Sequence, residues 1–311
     1  VVSFLLFFFL VGFSIDYLYL DAFTAGGPSL PIATLIALGS SATMAYTGYR
    51  QGSKLILTSV GAEQLDIQIP EHRELHNVVT EMALASGCRM PKVYVTYDPA
   101  PNAFATGRDQ ESAAICVTTG LLTLLGREET QGVVAHEMAH IKNNDTLVML
   151  LITILLGGMV LLSDWAQRSI FGARSLRRPS CQALLALPML LLIVISPLVS
   201  RLLAMAVSRQ REYLADATAV EFTRNPRGLV MALEKIRDAG MPFQKATRGT
   251  AHLFFINPLR RRIDSSDGRL ADLLSSHPPI NRRILLLYQM GALPGSAAQF
   301  GVEGIDAQGA R

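Results

Sequence analysis

Cysteine is scarce in this chain. The three thiols, Cys88, Cys116 and Cys181, stand far apart and no C-x-x-C pair occurs. A disulfide framework and a zinc knuckle are therefore not expected, and reduced thiols facing the cytoplasm fit the spacing. Charge is sparse too, at 17% of 311 residues with a net of +3. The basic residues sit beside apolar runs or in the C-terminal third, without interleaved aromatics, so no nucleic-acid partner is expected. The phosphate-cradling G-x-x-x-x-G-K-[ST] loop is absent, and no nucleotide partner is expected either. No internal repeat is present.

What the chain has in quantity is apolar residues: half of it is hydrophobic and the mean hydropathy is +0.31. These residues gather in four runs that approach the roughly 20 residues a helix needs to cross hydrocarbon. They are Val2–Leu20, interrupted late by Asp16; Leu30–Tyr49, after a Gly26-Gly27-Pro28 break; Leu147–Leu162; and Ala183–Val207, which contains Pro188 and Pro197. Proline is tolerated in membrane helices, where neighbouring groups satisfy the freed carbonyls. The first run lacks a basic n-region and a small-x-small cleavage site, so it reads as a retained span.

Between the second and third runs, Arg50–Asp145 reads as folded α+β. Glu71–Ser86 spaces Leu75, Val78, Val79, Met82 and Leu84 as a helix, and Lys92–Tyr97 alternates as a strand. Asn102–Thr106 and Ser112–Thr119 read as further strands around a Gly107-Arg108-Asp109 turn. Arg127–Asn143 is a helix with Glu128 and Glu129 in its first turn. Ser208–Phe222, Arg227–Asp238 and Ile280–Gln289 are helical, and Gln244–Asp267 has no period. The short first loop carries Asp16 and Asp21 but no basic residue, while Arg50 and Lys54 follow the second run. This bias places the Arg50–Asp145 segment in the cytoplasm. Arg168, Arg174, Arg177 and Arg178, between the last two runs, oppose it. Either cytoplasmic charges elsewhere outweigh them, or those two runs form a hairpin that does not span.

The sharpest chemical signal is His136-Glu-Met-Ala-His140 within a helix. Residues i and i+4 share a face, so both imidazoles reach one metal ion, and Glu137 is rotated toward a water on that metal. A catalytic zinc site needs a third protein ligand and an open position. No third His follows at short spacing, so the ligand must come from further along. Glu212, one helical turn before Asp216, is the best candidate. On spacing alone, salt bridging to Arg209 or Arg211 competes equally with a ligand role. Asp216 is placed to hydrogen-bond a ligating imidazole. His72 and His76 are also i, i+4, but Glu74 lies in the wrong register for a base, and they read as a solvated face. Asp145 reads as a cap or solvated end, Tyr213 as packing, and His252 as incidental.

His136–Asp145 (HEMAHIKNND), Glu212-x-x-x-Asp216, Asn102–Gly107 (NAFATG) and Ser276–Ile284 (SHPPINRRI) occur along the chain together with four apolar runs. In these motifs the sequence resembles the HtpX family of membrane metalloproteases, relatives of the CAAX prenyl proteases. The resemblance runs from the first span to about Gln289 and leaves Gln244–Asp267 and the tail outside. It implies one zinc ion held by His136, His140 and Glu212, with Glu137 as general base. It implies that Asn102, Ala103, Phe104 and Ala105 lie on an edge strand that offers its backbone to an extended substrate. By spacing alone, a plain surface hairpin is the favoured reading of that strand. It also implies that His277 and Arg283 come near the site. His277 would stabilise an oxyanion or occupy the open zinc position, unless it only precedes the Pro278-Pro279 start of a helix.

The expected fold is an α-helical membrane protein with an α+β zincin-like catalytic domain and about four hydrophobic helices. Its expected segments are two transmembrane helices (1–50), the first part of the catalytic domain (51–145), two further hydrophobic helices (146–207), the second catalytic part with the third zinc ligand (208–291), and a disordered tail (292–311). The expected function is zinc-dependent endopeptidase action on misfolded or damaged membrane proteins, without ATP, at the cytoplasmic face of a cell membrane. Its partners are polypeptide substrates and the lipid bilayer. Two rivals are a CAAX-type protease acting on prenylated C-termini, which calls for more spans, and a non-catalytic zinc-binding scaffold. Structural zinc sites usually fill all four positions with Cys or His, which argues against the scaffold.

Overall fold

The computed structural model describes residues 2–19, 30–154, 209–240, 255 and 278–291. The second half of the third hydrophobic run, all of the fourth, Cys181, the arginines at 168–178, His252, His277 and the tail lie outside the described residues.

Two helices open the chain, α1 (Val2–Tyr19) and α2 (Ile32–Ser59). Asp16 is not a loop residue, as the topology argument assumed, but a fully buried member of α1. Its carboxylate accepts the backbone N–H groups of Ala33 (2.9 Å) and Thr34 (2.7 Å) and the Thr34 hydroxyl (2.6 Å). It therefore caps α2 from the neighbouring helix, where the orphan N–H groups and the helix dipole both favour an anion. α2 does not stop at Tyr49. It runs on for ten residues, so the expected border at residue 50 falls inside one 28-residue helix about 42 Å long. Among the described residues no helix is both long and apolar enough to cross a membrane.

A four-stranded sheet follows, ordered β1-β2-β4-β3: β1 (Ala62–Gln64), β2 (Lys92–Thr96), β3 (Ala103–Thr106) and β4 (Ala114–Thr118). β2 and β4 are parallel, while β1 and β3 pair antiparallel to their neighbours. The helices are α3 (Pro70–Ser86), α4 (Thr119–Leu124), α5 (Arg127–Lys142), α6 (145–154), α7 (Arg209–Thr223), α8 (Pro226–Ala239) and α9 (Ile280–Met290). β1 and α4 have no signal in the sequence long enough to announce them.

Every residue of β3 and β4 is buried. The reason is that both faces of the sheet are covered. Ile115, Val117, Ala103 and Ala105 point into a core built with α3, α5, α7, α8 and α9, whereas Phe104, Ala114 and Cys116 point into a second core built with α2 and α6. Doubly covered strands read as continuous apolar runs, as here. α5 lies on the first face and packs closely on α8. A Cβ added at Gly132 would stand 2.8 Å from both the Cα and the N of Leu229, so glycine is what lets the motif helix sit this deep.

Candidate metal centre

α5 is buried along almost its whole length. Its start is held by Glu129, whose carboxylate accepts the Gly126 N–H (2.7 Å) and the Lys235 ammonium (2.7 Å). Two turns later the helix delivers His136 and His140 on one face, with their Nε2 atoms 3.1 Å apart. Glu212, in the first turn of α7, places Oε2 at 3.7 Å from His136 Nε2 and Oε1 at 3.7 Å from His140 Nε2. The three groups offer ligand atoms that all lie within 4.8 Å of one another.

Each imidazole has its other nitrogen on a carboxylate. His136 Nδ1 is 2.9 Å from Asp216 Oδ1, and His140 Nδ1 is 3.1 Å from Asp145 Oδ2. With Nδ1–H donating to a carboxylate, each ring turns the lone pair of Nε2 inward. Two such lone pairs 3.1 Å apart, with a carboxylate beside them, repel unless a cation lies among them. Bonds of about 2.0–2.1 Å at tetrahedral angles separate neighbouring donors by about 3.3 Å, so the donor set fits zinc in spacing as well as in chemistry.

Without a metal, that cation is a proton. Burial alone would push the His136 imidazolium down, but hydrogen bonds to Asp216 and Glu212 outweigh it and raise its pKa to about 9. Asp216 moves the other way: burial would raise its carboxyl, but the Arg283 guanidinium and His136 hold it below the usual range. Arg283 grips Asp216 with two hydrogen bonds, Nε to Oδ2 (2.8 Å) and Nη2 to Oδ1 (2.7 Å), and its Nη1 lies 3.8 Å from Glu212 Oε2. It is 2% exposed, a buried cation matched by two buried carboxylates, as buried charge requires.

Glu137 is 3% exposed. Burial pushes its carboxyl above the ordinary range, against the pull of the two imidazoles. Its carboxylate is hydrogen-bonded by the backbone N–H of Ala105. β3 is thus an edge strand whose open side is turned to the centre. On that same side, the Ala103 carbonyl accepts the N–H of Phe255 (2.8 Å). The Phe255 ring meets the His136 ring edge to face at 4.9 Å, and Arg283 donates to the Phe255 carbonyl (3.3 Å). Asn102 is 4% exposed; its side chain accepts the Ala103 N–H while its own N–H donates to Thr118 Oγ1. It shapes the start of the strand.

Several expectations change. Asp145 is no solvated cap: it holds His140 and lies 3.6 Å from Arg211. His72 is 7% exposed, and its Nδ1 accepts the Asp66 N–H (3.4 Å), so it faces the interior and not solvent. Tyr213 lies under the Arg282 guanidinium, 5.9 Å from the ring centre. Phe255 fell in the stretch without period and carried no signal that would have singled it out.

Residues 70–290 match the family described as Peptidase family M48, a match that runs through 244–267, which the motif comparison had left outside. The chain is 42% identical over 287 residues to a protease HtpX homologue of Caldanaerobacter subterraneus, covering 90% of this chain and 91% of that one. It is 38% identical over 291 residues to the homologue of Dictyoglomus turgidum, covering 94% and 90%. Among solved structures it is similar to S. mikatae Ste24p, at a TM-score of 0.46 and 17% identity, spanning 90% of this chain and 63% of that one. That last likeness is too loose to carry an argument. The family match and the curated relatives, each covering most of the chain, assign it to peptidase family M48, as a metallopeptidase of the HtpX type.

Proposed function

We propose that the chain is a membrane-anchored zinc endopeptidase in which His136, His140 and Glu212 hold the metal and Glu137 is the general base. The observation that carries this is the pair of inward-facing Nε2 atoms, 3.1 Å apart, with Glu212 beside them and a carboxylate behind each ring. Zinc bound there supplies Lewis acidity toward the scissile carbonyl and the attacking water. Asp216 and Asp145 fix the tautomers of the two imidazoles. Glu137, kept basic by burial and held by the Ala105 N–H, accepts the proton from the water and returns it to the departing amine nitrogen.

The substrate main chain lies along the open side of β3, in the manner of strand addition. Phe255 supports this placement, because its N–H already makes the bond to Ala103 that an extended peptide would make. α1 and α2 insert in the bilayer and the catalytic segments (51–145 and 208–291) face the cytoplasm. Leu6, Phe9, Leu10 and Phe13 of α1 and Ile32, Leu35 and Ile36 of α2 are exposed to a degree that fits lipid contact. The substrates are misfolded or damaged membrane proteins.

The test is cleavage of casein and of a destabilised membrane protein by the detergent-purified chain. Activity should vanish on chelation and return with stoichiometric zinc. Tight zinc binding with no cleavage of either substrate would favour the scaffold, and cleavage confined to prenylated C-terminal peptides would favour the CAAX-type reading.

A further inference from the structure

On the face of the sheet away from the metal centre, a cavity of about 470 Å³ opens between the C-terminal half of α2, β2 and the turn leading into β4. It lies in the size range of small-ligand sites. Four cations line it: Arg50 and Lys54 from α2, Lys92 from β2 and Arg108 from the turn. Among the described residues no carboxylate lines it; Arg108 pairs with its chain neighbour Asp109 at 3.0 Å. Among the described residues, Arg50, Lys54 and Lys92 form no ion pair. Tyr49 also lines it, with Arg108 5.9 Å above its ring, as does Ser112, whose hydroxyl donates to Asp109 (2.7 Å). Converging like charges without a counter-charge are arranged for an anion from outside the chain.

The cavity's place along α2 says which anion. Tyr46 and Tyr49, 64% and 42% exposed, close the apolar run of this helix, and Arg50 follows directly. Tyrosines followed by basic residues are the pattern of a helix leaving the bilayer through the headgroup layer. Anionic lipids of the cytoplasmic leaflet gather basic groups at that depth. We propose that this cavity binds the phosphate headgroup of an anionic phospholipid, with Arg50, Lys54 and Lys92 as its charge partners, and so seats the sheet at the membrane surface. The proposal rests on α1 and α2 lying in the bilayer.

Native mass spectrometry of the full chain, released from micelles doped with phosphatidylglycerol or phosphatidylcholine, tests it. The expected result is one retained phosphatidylglycerol, with affinity reduced about tenfold or more in the triple variant Arg50→Gln/Lys54→Gln/Lys92→Gln, on the scale of several-fold per basic residue near an anionic surface. Arg73→Gln/Arg89→Gln/Arg127→Gln removes the same charge elsewhere and should leave binding within about twofold. If the first triple variant does not fold, Lys54→Gln alone should still weaken binding measurably. Equal retention of both lipids, or equal loss in both triple variants, overturns the proposal. So does inorganic phosphate competing at the same concentration as the lipid, which would assign the cavity to a soluble anion. The underlying reading is tested apart, by retention in pure phosphatidylcholine vesicles after an alkaline wash. Release there defeats the bilayer placement of α1 and α2, whereas retention without lipid preference defeats only the pocket.

Discussion

On one face of the sheet, Asp216, Glu212, Glu137, His136 and Arg283 are all 3% exposed or less; Asp216, Glu212 and Arg283 each meet an opposite charge or an imidazole, and Glu137 is held by the Ala105 N–H. On the other face, Arg50, Lys54 and Lys92 are exposed and share a cavity that, among the described residues, no carboxylate lines. The difference follows from solvation. A charge taken out of water must find its partner within the fold, so the buried network fixes geometry to within a hydrogen bond. An exposed cation keeps its water and can await a partner from outside.

The sharpest way to break the contrast is to remove one buried charge. Arg283→Met leaves two carboxylates without their guanidinium. It should destabilise the chain by about 3–5 kcal/mol, read as a large fall in the detergent melting temperature. A small shift would mean that the network does not depend on Arg283. Asp216→Asn keeps the shape but weakens the hold on the His136 tautomer, and should lower metal affinity by about 10–100-fold. Asp145→Asn should cost less, since His140 is 12% exposed where His136 is 1% exposed. Equal losses in a zinc-competition titration would show the two carboxylates to be equivalent.

Titration sharpens the comparison. The pKa of His136 is raised from 6.5 to about 9 in the metal-free chain. A raised base stabilises the fold below its unfolded value, and that contribution is lost as pH rises from 6.5 to about 9. Metal must displace the same proton, so apparent zinc affinity should rise about tenfold per pH unit and level off above pH 9. Proton release, followed by calorimetry in buffers of different ionisation enthalpy, checks it; a pH-independent affinity would contradict it. The smallest effect belongs to the other face. Arg50→Gln/Lys54→Gln, in detergent without anionic lipid, should change stability by no more than about 0.5 kcal/mol.

Local pattern made the helices and strands around the site legible. α3, α5, α7, α8 and α9 lie within two residues of where the sequence puts them: α3, α8 and α9 start at a Pro and bury an apolar stripe, and α5 and α7 carry acidic residues in their first turn. The three-residue β1 and the six-residue α4 are too short to show a period. The H-E-x-x-H face was legible because i and i+4 are neighbours on any helix. The Asp145–His140 contact was not, since it depends on how the chain turns at Asn143 and Asn144, the latter at a φ of 58°. The Phe255 contact with β3 joins residues 152 apart with no spacing rule between them, and only the fold brings them together.

The most direct test of the central claim is zinc content and proteolysis measured together on the purified chain, Glu137→Gln and Glu212→Ala. The account predicts about one zinc per chain for the first two and little for the third. Cleavage should be present in the unmodified chain, reduced about 10²–10⁴-fold or more in Glu137→Gln, and absent in Glu212→Ala. Full zinc occupancy in Glu212→Ala, or undiminished cleavage by Glu137→Gln, would contradict it.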